Sequence, residues 1–472
     1  MRLRMETSPN SDLVSKGEVL TLIFELFPWL RQFEQASLND YAKAAFSVGS
    51  DQSGCVARSQ AMSLLRSRVA AVAQRQGYSA GAVTRFQTEI EVAPVLQCGP
   101  HLHLLIEPDA FYTHLFSLMG LRAHGRTSYI SYACSTVKFV ERGRKGPAWL
   151  HVDGDAVNVF GLSRSKMIPY SILGRNGCYR FHLQNVDRPG HDSEAISCLR
   201  DLLPLGEFQS AAEAIKAANL CLWKRYSDSQ VDFLQLDDSD VADLVADHLS
   251  DGRSWLRASL IEDRAFAMRL IHCIDQLADT AWRGWLKNST HFFWGCIEGR
   301  LFPLWLDGRV LRSKETDDVC VEFSPPSLVE ALRTGRIVPN LLLMFIVTSI
   351  LPGVRVLGGS RHTIYYPLMR WAFCEALRNN HRDTQLLNAL SKDERPGVWG
   401  HRIISSPCEP FSLLNAVSRG GIATLLEQFG KMSIIDACGP FSSFTQDPLW
   451  AELAVAYSSR RVGRHSSQWA FR

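Results

Sequence analysis

The sequence predicts an α/β protein: a Rossmann-like parallel sheet carrying an inserted helical subdomain. Three observations lead there. Short apolar runs alternate with helical periods over residues 57–133, in the β-α-β order from which parallel sheets are built. An Ala- and Leu-rich stretch interrupts that alternation between residues 205 and 290. A second apolar segment at 338–357 ends in paired glycines, as strands leading into ligand loops often do.

Taken in order, Leu20, Ile23, Phe24, Phe27 and Leu30 recur at three- and four-residue steps, so the first element is a helix despite Pro28. Residues 57–76 predict a second helix that stops near Gly77, and 90–96 a short strand closed by Cys98, Gly99 and Pro100. Leu115, Leu118 and Met119 form the stripe of a helix over 111–121, and 127–133 is extended again. Gly, Asn and β-branched residues between 149 and 185 predict shorter strands and turns. The runs SAAEAIKAANLCLWKRY and RAFAMRLIHCIDQLADTAW are helical in period. Alternation resumes at 292–305, and the stretch beyond 371 is helical in patches broken by Pro396, Pro407, Pro410 and Pro440. The expected organisation is an N-terminal part of the α/β core (1–204), a helical insertion (205–290), a C-terminal part of the core (291–370) and a C-terminal helical region (371–472).

Composition narrows the function classes. Of 472 residues 46% are hydrophobic and 21% charged, which suits a folded chain rather than a disordered one. A net charge of +3 gives no field that points to nucleic acid, so a small molecule is the expected partner. Twelve cysteines are scattered singly without a C-x-x-C pair, which reads as thiols in a reducing, cytoplasmic setting. The N-terminal residues carry no apolar signal region, and the most apolar stretch, 341–347, is far short of the ~20 residues a spanning helix needs, so no membrane partner is expected.

The Walker A, dinucleotide-binding, G-x-S-x-G and H-E-x-x-H patterns are all absent, and nothing names a cofactor. Looser constellations remain. In QCGPHLHLL, His101 and His103 follow a predicted strand; H-x-H at a strand end can ligate a metal or serve as hydrogen-bonded edge histidines. His151, Asp153 and Asp155 could complete a ligand set, although D-G-D is also an ordinary turn. Gly358 and Gly359 precede Ser360, Arg361, His362, Tyr365 and Tyr366; paired glycines let a backbone approach an anion that Arg361 and His362 would neutralise, and they equally suit a plain turn. Trp282 and Trp285 share a helix face and read as core, and the basic tail with Arg460, Arg461, Arg464 and Arg472 reads as a solvated, frayed end.

Three segments, in order, resemble the bacillithiol-biosynthesis cysteine-adding enzymes. Residues 98–117, CGPHLHLLIEPDAFYTHLFS, run without gaps beside that family's T-G-H-Q, two apolar positions, G-P-L-Y and helix, with Gly99, Leu102, Leu104, Leu105 and Pro108 on matching places. Residues 132–141, YACSTVKFVE, lie where the family has an extended segment ending in E-D-H-D-F. Ser135, Thr136, Val137 and Lys138 replace the acidic and imidazole groups there, while Phe139 and Glu141 stay compatible. The glycine pair and Tyr366 fit the family's G-G-x-x-E-x-x-Y turn without its acidic residue. The family's terminal coiled coil has no counterpart here.

The resemblance implies a Rossmann-like core with an inserted helical segment, and an enzyme that joins an amino acid or similar carboxylate to an amine. His101, Arg361 and His362 are then the candidate catalytic residues, with His101 as base and glycine-turn N–H groups facing the oxyanion. Gly99, His103, Ser135, Lys138, Gly358, Gly359 and Tyr366 are candidate substrate-binding residues, and no metal is assigned. Two other classes stand beside this one: an inactive binding or scaffold protein on the same fold, and a metal-dependent hydrolase using His101, His103 and a downstream His or Asp. Cys98 and Cys134, each near a predicted strand end, are expected to line the site without acting as nucleophiles.

Overall fold

The computed structural model describes residues 12–49, 54–226, 230–378, 383–416, 421–463 and 465–469. Five strands form the central sheet: β1 (Val95–His101), β2 (Ser128–Cys134), β3 (Asp232–Leu236), β4 (Arg355–Gly358) and β5 (Gly397–Trp399). Every pairing is parallel, in the order β5-β4-β1-β2-β3. Six of the seven residues of β2 and all four of β4 are buried, as befits strands covered on both faces.

Read from the other edge, the order is 3-2-1-4-5, the strand order of a Rossmann-type sheet. The chain runs outward from β1 through β2 to β3, then returns to the far side of β1 to lay down β4 and β5. The switch in direction lies between β1 and β4, and the region beyond their carboxyl ends is where doubly wound sheets bind ligands. Gln97 pins this junction: its amide donates to the Leu357 carbonyl at 3.2 Å and accepts from Ser117 Oγ at 2.9 Å.

After β1 comes α1 (Pro108–Ala123), with Pro108 in its first turn and Glu107 capping the Ala110 amide at 3.1 Å. Every residue from Ala110 to Leu121 is buried, so α1 is enclosed on all sides rather than along the single stripe its Leu and Met spacing predicts. Thr113, His114 and Ser117 are drawn into the core with it, each hydrogen-bonded.

The helix-rich segment 205–290 differs from the expected insertion. It supplies α2 (Ala211–Tyr226) and α3 (Asp238–Ser250) as its periodicity predicts, but between them β3 joins the parallel sheet beside β2. The segment is thus part of the core. The segment expected to complete the core, 291–370, divides likewise. Phe293–Ile297, Arg300–Asp307, Val310–Ser313, Cys320–Glu322 and Ile337–Pro339 form a separate antiparallel sheet, and only β4 enters the central one. Beyond 371 the chain is helical as expected except for β5, while Trp149–Val152, Asp155–Asn158 and Gln184–Asn185 build a small third sheet.

The basic tail is not frayed over its described part. Trp469 is fully buried, its ring stacked on Trp282 at 4.9 Å and its Nε1 donating to the Leu26 carbonyl at 3.0 Å. A buried tryptophan removes enough apolar surface from water to hold a terminus that charge alone would leave in solvent. Arg460 and Arg461 remain exposed beside it, and Arg464 and Arg472 lie outside the described residues. Trp282 and Trp285 are core residues as expected, but they lie in turns beyond the helix rather than on one helix face, and pack on Trp469 and Trp450 respectively.

Candidate functional site

Between Cys98 and His101 the register of β1 against β2 slips: Cys98 faces Tyr132, but His101 faces Cys134, leaving one extra residue on β1. Such a bulge re-aims the side chains at a strand end. Here it is followed by a loop whose backbone is clamped from α2. The buried Asn219 accepts from the Leu105 amide at 2.7 Å and donates to the His103 carbonyl at 2.9 Å and to Gln235 of β3 at 3.0 Å. The backbone at His103 is thereby fixed at the sheet end, while the His101 side chain before it is exposed.

The loop after β2 brings the acidic partner. A tight turn returns the Glu141 amide to the Lys145 carbonyl at 2.9 Å and closes at Gly146, whose φ is +130°. A side chain at 146 would put its Cβ 2.7 Å from the Glu141 nitrogen, so this turn needs glycine. Glu141 Oε1 then lies 2.5 Å from His101 Nδ1 and 3.2 Å from His103 Nε2. Burial works to raise the Glu141 carboxyl, but hydrogen bonds from both imidazoles outweigh it and hold the group well below the usual carboxylate range. The buried His103 presents its other nitrogen, Nδ1, to Glu107 at 3.8 Å.

A second polar group adjoins the first. Gly99 and Gly359, at the ends of β1 and β4, face one imidazole: a Cβ on Gly99 would lie 3.0 Å from His401 Cγ, and one on Gly359 2.9 Å from His401 Cδ2. His401 therefore sits across the switch point. Thr113 donates its single proton to the Asp109 carbonyl at 2.7 Å, so His401 Nδ1, 2.6 Å away, is the donor to Thr113 Oγ. Burial, with the charge of Arg402 beside it, pushes His401 well below its ordinary pKa and keeps the ring neutral.

Asp109, in the first turn of α1, holds both Lys145 Nζ (2.7 Å) and Arg402 Nη2 (2.5 Å). Two cations on one carboxylate leave a positive charge over. Burial alone would raise Asp109; Arg402 and Lys145 more than reverse it, so the carboxyl stays ionised. Arg402 has a φ of +57° and a buried Nε without a protein acceptor. Unusual backbone of this kind clusters where function fixes a side chain.

The other sequence-derived candidates divide by position. The β1–β4 pairing brings Gly99 and Gly359 together against His401, with His101 and His103 following on from Gly99, whereas Gly358 faces His362 in the core. Arg361 is not part of the cluster: its guanidinium chelates Asp447, Nε at 2.6 Å and Nη2 at 3.0 Å. His362 is enclosed by the core, stacked on Tyr366 at 5.1 Å, and burial pushes its pKa down to about 3. Tyr366 bonds Ser349 Oγ at 2.5 Å inside the same core. The Ser135 amide and hydroxyl, with the Thr136 amide, are spent on Asp238 at the start of α3. Lys138 is exposed in a bridge to Ser171. His151 and Asp153 lie in the third sheet's hairpin, where Asp153 and Gly154 both have positive φ, so D-G-D is a turn; Asp155 bonds Asn185 and Arg188.

All twelve cysteines are free thiols. Burial pushes the Cys98 and Cys134 thiols far above their ordinary range, and Asp238 adds to the effect at Cys134. Neither is a thiolate nucleophile at neutral pH.

Sequence reasoning missed His401, Asp109, Lys145 and Arg402. The run Gly397–Trp399 followed by Gly400, His401 and Arg402 repeats the strand, glycine, histidine pattern of β1, and that repetition was the available signal. Among the described residues, no helix is long and apolar enough to cross a membrane. No known family model matches the chain, and no curated protein matches it significantly.

Proposed function

We propose that this chain is a small-molecule biosynthetic enzyme that joins an amine to a carboxylate-bearing substrate at the switch point, with the His101–Glu141 pair as general base. The observation that carries this reading is the 2.5 Å contact between His101 Nδ1 and an ionised Glu141, on a bulged strand end at the place where Rossmann-type sheets bind ligands. The condensing class is what the resemblance to the cysteine-adding enzymes implies.

In this reading Glu141 orients the exposed His101 ring and stabilises the imidazolium that forms as the amine nitrogen attacks the acyl carbon of an activated carboxylate, a thioester or acyl phosphate, and gives up its proton; the C–N bond forms as the acyl–S or acyl–O bond breaks and the thiol or phosphate leaves. Lys145 and Arg402 receive the substrate carboxylate, because their shared Asp109 neutralises only one of them. They take the role that Arg361 and His362 were expected to fill. The neutral His401 sits between the two glycines. A screen of pooled small carboxylates and amines by ligand-observed NMR tests the binding half. Carboxylate ligands should bind the native chain and weaken at least tenfold in Arg402→Gln, whereas undiminished binding in that variant would place the anion elsewhere.

A further inference from the structure

Two imidazole nitrogens and one carboxylate oxygen, from His101, His103 and Glu141, lie within 4.8 Å of one another at the end of β1. We propose that they form a binding site for a divalent transition-metal ion of the zinc class, with three protein ligands and an open position toward solvent. Two nitrogens and one carboxylate oxygen make the donor set of many zinc centres, and imidazole favours such ions over magnesium or calcium.

Three details of the geometry support an ion rather than a simple hydrogen-bonded trio. Both imidazole nitrogens converge on the same oxygen, Glu141 Oε1. Ligand atoms ~2.1 Å from a tetrahedral ion stand about 3.4 Å apart; His103 Nε2 already stands 3.2 Å from Oε1. His101 must withdraw by roughly 1 Å from its 2.5 Å contact, and with 52% of its side chain exposed it is free to do so. The third detail is Glu107, whose Oε2 lies 3.8 Å from His103 Nδ1. A carboxylate behind the non-ligating nitrogen is the arrangement that fixes a metal-binding histidine's tautomer and orientation. His103 Nδ1 has no hydrogen-bond partner closer than this, so the outer partner is in place to tighten when the ring takes up an ion.

The site uses the same cluster as the proposed proton transfer, and it has a consequence for it. With Nδ1 on a metal the neutral ring carries its proton on Nε2, the nitrogen that acts as base when Nδ1 donates to Glu141, so occupation of the site and general-base catalysis by His101 exclude each other. The binding itself is independent of any substrate and is measured without one.

The test is titration of the chelator-treated full chain with Co2+, read by visible absorption, and with Zn2+ in competition. One equivalent of Co2+ should bind with the intense bands of a four- or five-coordinate ion and be displaced by one equivalent of Zn2+. His101→Gln and Glu141→Gln, both at solvent-accessible positions, should retain the native circular dichroism and weaken binding at least tenfold. Absence of stoichiometric binding, or equal affinity in both variants, would overturn the assignment. A near-ultraviolet thiolate-to-cobalt band in the native chain would do the same, by putting the ion on cysteine. If the site binds as expected and a condensing activity is later found that Zn2+ enhances, the base role of His101 fails while the metal site stands.

Discussion

Replacing His362 with phenylalanine should make the protein progressively more stable than the native chain as the pH falls. His362 is 2% exposed, packed between Tyr366 and Phe345, and neither ring nitrogen has a protein hydrogen-bond partner. Burial holds its pKa at about 3, against an ordinary value of 6.5 in the unfolded chain. The native state therefore keeps the ring neutral while the unfolded state protonates. The stability this protects is complete above pH 6.5 and is lost as the pH drops toward 3, at about 1.4 kcal/mol per pH unit. Between pH 7.5 and 5.0 the native chain should lose about 2 kcal/mol through this residue alone.

Phenylalanine cannot protonate, so that loss vanishes in His362→Phe. Two other terms act on the variant: removing unpartnered polar atoms stabilises by about 1–3 kcal/mol, and fitting a larger ring costs about 1–3 kcal/mol. Both are independent of pH. The absolute difference at pH 7.5 is consequently small, while the change in that difference on going to pH 5.0 isolates the imidazole. His114, held near 3, and His248, near 4, titrate in both proteins and cancel. Urea unfolding of both proteins at the two pH values measures it. A difference in unfolding free energy that is the same at pH 7.5 and 5.0 would show that His362 is hydrated and titrating normally, and would return it to the list of catalytic candidates.

Other perturbations follow from the same packing. Gly358→Ala puts a Cβ 2.2 Å from His362 Cγ in a closed core and should cost at least about 1–3 kcal/mol. Gly359→Ala meets His401 Cδ2 at 2.9 Å and should cost less while displacing His401; thermal denaturation and ligand affinity separate the two effects. Cys98→Ala and Cys134→Ala should fold and leave turnover nearly intact, and both native thiols should resist alkylation at pH 7.5; loss of turnover in either folded variant would call for a covalent thiol step. Trp469→Ala should lose about 3–5 kcal/mol by opening a cavity against Trp282, measured by urea unfolding.

Part of the parallel sheet was legible: the helix expected over 111–121 is α1 and the extended run at 127–133 is β2, but the strand expected at 90–96 begins only at Val95, because residues up to Val92 belong to the helix Ala80–Val92. β3 was hidden. Asp232–Leu236 is only five residues long, lies between the helices α2 and α3, and contains Gln235, whose burial is satisfied by Asn219 some sixteen residues away. No local pattern encodes such a partner. The alternation near residue 292 was read correctly as extended, but period-two patterning does not say which sheet a strand joins.

At the site, the H-x-H and the glycine pair were visible because each sits at a strand end. Glu141 appeared only as a residue compatible with the resemblance, since its approach to His101 depends on the turn that Gly146 permits. Arg361 and His362 misled for a physical reason. Adjacency to Gly359 in sequence does not fix side-chain direction, and the start of α4 (His362–Arg378) sends one to Asp447 and the other into the core.

The proposed function requires that an amine and an activated acyl group condense at the switch point with His101 and Glu141 as the base. Mass-spectrometric detection of product tests this most directly, with the chelator-treated chain incubated with pooled amines and amino-acyl thioesters or acyl phosphates and compared across native protein, His101→Gln and Glu141→Gln. The native chain should form a product with the mass of the two reactants less the released thiol or phosphate, and formation should slow about 10²–10⁴-fold in both folded variants. A product formed equally well by all three proteins, or by none, would contradict it.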